Sequence, residues 1–275
     1  MATPQVEAIN RDGLRIVGEA DIVGRVRATS DASELPACEF GIVAVKSMFT
    51  AGAIEQAAHA FREGAVASVQ NGVGNEETIA EHVERVIRGT TFPAGRVLEP
   101  GVVHMDTRGD TWLGPFEPRP AGMAEVQRLA EAITAGGMNT KALEDARGAQ
   151  WTKLIFNAAT NPIGALTRLT HGRVCELPET RRLVSGLVAE GVAVADALGI
   201  TLDSDPDELV DHAAQVAFEH RASMLQDVLA KRATEIDAIN GGIATFGARQ
   251  GVPTPLNVAI AALVKGVERS WSQPQ

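Results

Sequence analysis

Two strand-length segments constrain this fold more than any other feature: the continuous apolar run Phe40–Val45 (FGIVAV) and the mostly apolar Ala65–Val69 (AVASV). Each has the length of a strand, and neither shows a strict polar–apolar alternation. Strands of that kind are hidden on both faces, the condition of a parallel sheet covered by helices. The flanking pattern agrees. Leu14–Val17 reads as a short strand, Thr50–Arg62 as a helix, and Asn71–Asn75 as a glycine-rich turn followed by a helix to about Ile87. Thr90–Phe92 reads as a third buried strand. Val102–His104 and Thr111–Leu113 read as a strand pair, Pro120–Ala135 as a helix and Thr140–Leu143 as an edge strand. Strand–helix alternation of this kind predicts an α/β layer with a largely parallel sheet.

From Gly148 onward the period changes. Helical patterns cover 149–160, 178–197, 205–219, 220–248 and 255–270, with Pro206, Pro253 and Pro255 near helix starts, where proline is tolerated. The expected organisation is an α/β part over residues 1–147 and an all-helical part over 148–275, with residues 270–275 fraying. Composition limits the function classes. Lys and Arg number 25 against 35 Asp and Glu, a net charge of −10, so a face that tracks nucleic-acid phosphates is not expected. There is no tyrosine, and the core must be built from Ala, Val, Leu and Ile. Cys38 and Cys175 lie too far apart to form a metal motif and are expected as reduced, buried thiols. The six histidines show no metal-ligand spacing, so no metal site is expected. No run is long enough for a signal peptide or a membrane span, and a cytoplasmic protein is expected.

Four segments can carry chemistry. In Trp151–Leu166 (WTKLIFNAATNPIGAL) the only charge is Lys153. On a helix, Lys153, Asn157, Thr160 and Asn161 share about one third of the circumference, and apolar residues fill the rest. Buried polar groups need partners, so this stripe is either a solvated helix face or interdomain hydrogen-bond seam, or the wall of a polar ligand cavity. Arg221–Asn240 reads as a long helix on which Ser223 and Asp227 share a face. Spacing alone leaves it a charged helix face with pairs such as Asp227–Lys231, and nothing in it singles out Glu235. Ser68–Asn75 (SVQNGVGN) places Asn71 on a turn after a buried strand. Gly72 and Gly74 there do not make a dinucleotide fingerprint, because Glu77 stands where a third glycine is needed. Lys46, in Val43–Ser47 (VAVKS), ends the first buried strand, either as a lysine extended along the surface or as a cation near a ligand's anion.

Taken together these segments resemble the ketopantoate reductase family. The matching pieces are AINRDGLRI at 8–16, VAVKS at 43–47, VQNGVGNEE at 69–77, EPGVVH at 99–104, WTKLIFNAATNPIGALT at 151–167, SMLQDVLAKRATEIDAINGGI at 223–243 and PTPLN at 253–257. The resemblance implies a Rossmann-like N-terminal domain, a helical substrate domain and NADPH-dependent reduction of 2-dehydropantoate, or of a similar branched 2-keto acid, in pantothenate biosynthesis. It implies that Lys153 donates a proton and stabilises the alkoxide, and that Glu235 binds the substrate hydroxyl. Ser223, Asn157 and Asn161 would bind substrate. Asn71 would bridge cofactor and substrate, and Lys46 would line the cofactor cleft. A homodimer is expected. His220 departs from the asparagine that some members carry there, which bears on substrate preference. The family opens with a strand, a GxGxxG turn, a helix and a second strand; here AINRDGLRI comes first, so the expected Rossmann-like domain is incomplete. Either that unit lies upstream of Met1, or the chain is a non-catalytic remnant that dimerises or binds a ligand.

Overall fold

A computed structural model describes residues 3–272, so the expected fraying of residues 273–275 lies outside the described residues. The chain divides into two compact units. One comprises the chain up to Val45 with Phe49–Gln70 and Glu76–Ala146. The other comprises Lys46–Met48, Asn71–Asn75 and everything from Arg147 onward.

The first unit opens with helix α1 (Pro4–Asp12), started by Pro4 and an N-cap from Thr3, and ended at Gly13 with φ +89°. Strands β1 (Leu14–Gly18) and β2 (Ile22–Gly24) follow, then β3 (Phe40–Val43), α2 (Thr50–Ala57), β4 (Ala65–Ser68), α3 (Asn75–Ala80), β5 (Val86–Thr91), β6 (Ala94–Glu99), β7 (Val102–Thr107), β8 (Thr111–Pro115), α4 (Met123–Ala135) and β9 (Thr140–Ala142). They form a five-stranded sheet, β3-β4-β5-β8-β9, and a four-stranded sheet, β2-β1-β7-β6. In the larger sheet β3, β4 and β5 run parallel and β8 is antiparallel to β5.

Strand β4 is covered on both sides, as its composition demands. Ala65 and Ala67 pack with Ile87 and Leu113 against Val126, Leu129 and Ala130 of α4. Val66 points the other way, to Ile54 of α2 and Ile79 of α3. Three expectations are corrected here. Phe40–Val45 is not hidden on both faces: among the described residues β3 is an edge strand paired only with β4, and Ile42 is 49% exposed. The helix after Asn75 stops at Ala80 instead of near Ile87, because Val86 and Ile87 are the paired, buried start of β5. Val102–His104 and Thr111–Leu113 do not pair, since β7 and β8 belong to different sheets.

The second unit is built from α5 (Arg147–Thr167), α6 (His171–Glu176), α7 (Pro178–Ala197), α8 (Pro206–Val216), α9 (Ser223–Leu229), α10 (Asn240–Gln250) and α11 (Pro255–Ser270). Helix α5 is central: Trp151, Leu154, Ile155, Ala158, Ala159 and Ile163 all belong to one core. Gly191 lets α7 come close to it, because a Cβ there would stand 2.8 Å from Ile155 Cγ1. Pro162 lies inside α5 and has no N–H for the carbonyl of Ala158. That carbonyl accepts instead from Asn240 Nδ2 at 2.9 Å, and Asn240 also donates to Asn257 Oδ1 at 2.9 Å. Glu190 of α7 accepts from the backbone N–H groups of Leu256 and Asn257, so it holds the first turn of α11.

The long helix expected over 220–248 is broken. It ends at Leu229, Lys231 adopts φ +50°, and residues 230–239 form a looped segment that carries Glu235. Cys38 and Cys175 are free thiols, half-buried rather than buried.

Candidate active site

The second unit draws together residues far apart in the sequence. Lys46–Met48 follows β3 and Asn71–Asn75 follows β4, so both leave the carboxyl ends of adjacent parallel strands. The exit from β3 is held where Gln70 Nε2 donates to the carbonyl of Val45 at 2.7 Å. The turn at Gly72 and Gly74 uses positive φ angles of +85° and +96°. A Cβ at Gly72 would lie 2.6 Å from Ala238, whereas nothing stands within 4 Å of one at Gly74. The chain here packs closely on one side and is open on the other.

Asn71 occupies the middle of the cluster. Its Oδ1 accepts from Lys153 Nζ at 2.9 Å, and its Nδ2 donates to Glu235 Oε2 at 3.2 Å. The other carboxylate oxygen of Glu235 accepts two hydrogen bonds from Ser47, from the backbone N–H at 3.1 Å and from Oγ at 2.9 Å. Lys153 is half-buried, and its pKa is lowered from 10.5 to about 8. Desolvation drives that shift, and the Glu235 carboxylate partly opposes it. An ammonium whose pKa lies that close to neutrality can give up a proton readily in this environment.

Lys46 is held rather than loose. Its Nζ pairs with Asp227 at 2.5 Å and donates to the carbonyl of Ala233 at 2.9 Å. Asp227 is buried and also accepts from Arg232 Nε at 3.1 Å, so the expected Asp227–Lys231 pair gives way to these two. Asn157 and Asn161 lie one and two turns beyond Lys153 on α5, and both are buried. Among the described residues the Asn157 side chain has no hydrogen-bond partner, and Asn161 receives only a long bond from Thr160 at 3.4 Å. Neither amide is among the fully enclosed polar atoms that lack a partner, so both reach open space. Ser223 is exposed at the start of α9, one turn before Asp227, and touches none of the cluster through a hydrogen bond.

The structure therefore brings Lys46, Asn71, Lys153 and Glu235 into one connected neighbourhood, with Asn157 and Asn161 on the same helix as the lysine. Sequence reasoning missed Ser47, read Asp227 only as a helix-face partner of Lys231, and gave Asn240 no role. A hydroxyl directly after a strand-terminal lysine, at the ligand-binding edge of a parallel sheet, was the available signal for Ser47. No group of three or more His, Cys, Asp or Glu among the described residues could hold a metal ion.

The chain is similar to known proteins over most of its length. The model of the ketopantoate reductase PanE/ApbA family matches residues 1–118, and that of its C-terminal domain matches residues 145–268. A 2-dehydropantoate 2-reductase of Pyrococcus horikoshii is 35% identical over 96% of this chain and 86% of its own length. Among solved structures, a PanE/ApbA family ketopantoate reductase from Ralstonia eutropha superposes with a TM-score of 0.88 at 30% identity, over 98% of this chain and 89% of that one. A D-mandelate dehydrogenase with NADH and anilino(oxo)acetate shares the fold, with a TM-score of 0.87 at 23% identity and coverage of 98% and 89%.

Proposed function

The chain belongs to the ketopantoate reductase family, and from that premise we propose how its own residues perform the reaction. The protein is an oxidoreductase of the 2-dehydropantoate 2-reductase type, with a Rossmann-like α/β region followed by a helical one. We assign residues 1–147 to dinucleotide binding and 148–275 to substrate binding and catalysis. The cofactor we propose is NADPH, which supplies the hydride to the ketone carbon. The residues present fit its reacting end: Lys46, fixed by its pair with Asp227, would line the cleft, and the open side of the turn at Gly74 leaves room for a ligand against the backbone.

Lys153 is the proton donor. Its ammonium hands a proton from Nζ to the ketone oxygen and stabilises the negative charge forming there. Glu235 accepts the substrate's hydroxyl. The open amides of Asn157 and Asn161, with Ser223, hold the rest of the keto acid. Asn71 fixes the lysine and the glutamate at a set separation, because its two amide atoms serve one each. We also propose a cytoplasmic homodimer. The unpaired, half-exposed cysteines suit a reducing compartment. Val258 and Leu263, exposed on α11 with no charge between them, suit burial against a second copy.

The observation that carries the reading is the Lys153–Asn71–Glu235 chain of hydrogen bonds. Its test is 2-dehydropantoate-dependent oxidation of NADPH. Lys153→Ala should lower kcat by roughly 10²–10⁴-fold, the usual worth of a general acid. No turnover by the unaltered chain, or a loss under tenfold in the variant, would overturn it.

A further inference from the structure

We infer that Ser47 is a positioning residue that occupies Glu235 Oε1 with both of its donors, leaving Oε2 as the carboxylate oxygen that receives the substrate hydroxyl. This rests on the reading of Glu235 given above and goes beyond it. A carboxylate oxygen offers about two acceptor sites. At Oε1 both are taken, by the N–H and the Oγ–H of Ser47. At Oε2 Asn71 Nδ2 takes one, and one remains. Ser47 Oγ also lies 3.2 Å from the carbonyl of Asn71, so the same side chain touches both of the turns that hold the carboxylate.

The consequence is directional. With Oε1 saturated, the carboxylate cannot rotate to exchange its oxygens without breaking three hydrogen bonds. The open acceptor of Oε2 is therefore held on the side of Asn71, whose Oδ1 carries Lys153. That geometry sets the distance between the atom that binds a hydroxyl and the atom that protonates a ketone. Discrimination follows from it. A keto acid with a hydroxyl at the matching distance fills the last acceptor, and one without it leaves a carboxylate oxygen unpaired. Ser47 also fixes where the Glu235 carboxylate stands relative to Lys153, because both of its donors hold Oε1. Held there, the carboxylate supports the protonated form of Lys153 against burial.

The test compares the parent with Ser47→Ala and Ser47→Thr, using 2-dehydropantoate and 3,3-dimethyl-2-oxobutanoate, which lacks only the hydroxyl. Ser47→Ala keeps the backbone donor and should reduce the kcat/KM ratio between the two substrates by about tenfold, the loss of one hydrogen bond to a charged group. Most of that change should appear in KM for the hydroxylated acid. Ser47→Thr should restore the ratio. A merely structural role would lower both substrates alike. A second readout needs no turnover. The chain has five lysines, Lys46, Lys141, Lys153, Lys231 and Lys265, so the side-chain resonances of a lysine-labelled sample can be followed one by one. The Lys153 midpoint should fall in Ser47→Ala and recover in Ser47→Thr. An unchanged ratio with an unchanged midpoint, in a variant whose circular dichroism matches the parent, overturns the inference. A shifted midpoint with an unchanged ratio supports the positioning role and overturns the assignment of Glu235 to the substrate hydroxyl.

Discussion

Two opposing forces meet at the Lys153 ammonium. Burial favours the neutral amine, and the Glu235 carboxylate favours the charged form; burial wins, and the midpoint settles at about 8. Reduction needs the protonated form, so the rate should be flat below that midpoint and fall above it. Glu235→Gln removes the influence that raises the pKa, so the alkaline limb should move to lower pH as well as the rate falling. A pH profile of kcat/KM checks both. A limb that moves upward in Glu235→Gln would show that the Glu235 carboxylate is not what holds the Lys153 pKa up. None of this was legible from spacing. The donors to Glu235 stand 188 and 164 positions away in the chain, so no local pattern could single it out, and only the family resemblance did. Lys153 was easier to find, because one charge in an otherwise apolar helix is conspicuous in the sequence itself.

At the level of elements, the helices that announce their own ends were readable. Pro178 and Pro255 stand at the first positions of α7 and α11, and the expected bounds of both match. The segment 230–239 was not readable. Its composition suits a helix, but tertiary anchors compete: Asp227 is claimed by Lys46, Ala233 by Lys46 and Glu235 by Ser47 and Asn71. The repair of α5 at Pro162 was also hidden, since it depends on a side chain 82 residues away. Asn240 is fully buried, and its Oδ1 has no partner, so it is kept for its two donated bonds. Asn240→Ala should strand the carbonyl of Ala158 and the Oδ1 of Asn257 and cost about 2–4 kcal/mol, as two buried acceptors lose their donor. Urea unfolding with an unchanged m-value would measure it. A loss under 1 kcal/mol would mean that neither bond holds α5 in place. Because α5 also carries Lys153 and both asparagines, the variant should lose activity beyond its loss of stability.

Over the whole molecule, the change of period near residue 147 correctly marked where strands give way to helices. It could not reveal that the helical unit is completed by two short pieces from the first half. Lys46–Met48 and Asn71–Asn75 belong to it by contact, although the chain reaches them among strands. Val73 is part of the helical core, and its backbone N–H donates to the carbonyl of Ala238 at 3.0 Å. Ser47 and Asn71 supply the donors on Glu235 described above. A fragment beginning at Arg147 would keep α5 to α11, with Lys153 and Glu235, and lose all three of these residues. Its glutamate would turn to water, its lysine would lose Asn71, and the place filled by Val73 would open. The Lys153 midpoint should then rise from about 8 toward the ordinary 10.5, because desolvation holds it down. Lysine-labelled spectra of the fragment report this directly, with only Lys153, Lys231 and Lys265 left to assign. A midpoint that stayed near 8 would mean that the helices alone create the burial. A rise would mean that Lys153 owes its lowered pKa to two turns that the first half of the sequence supplies.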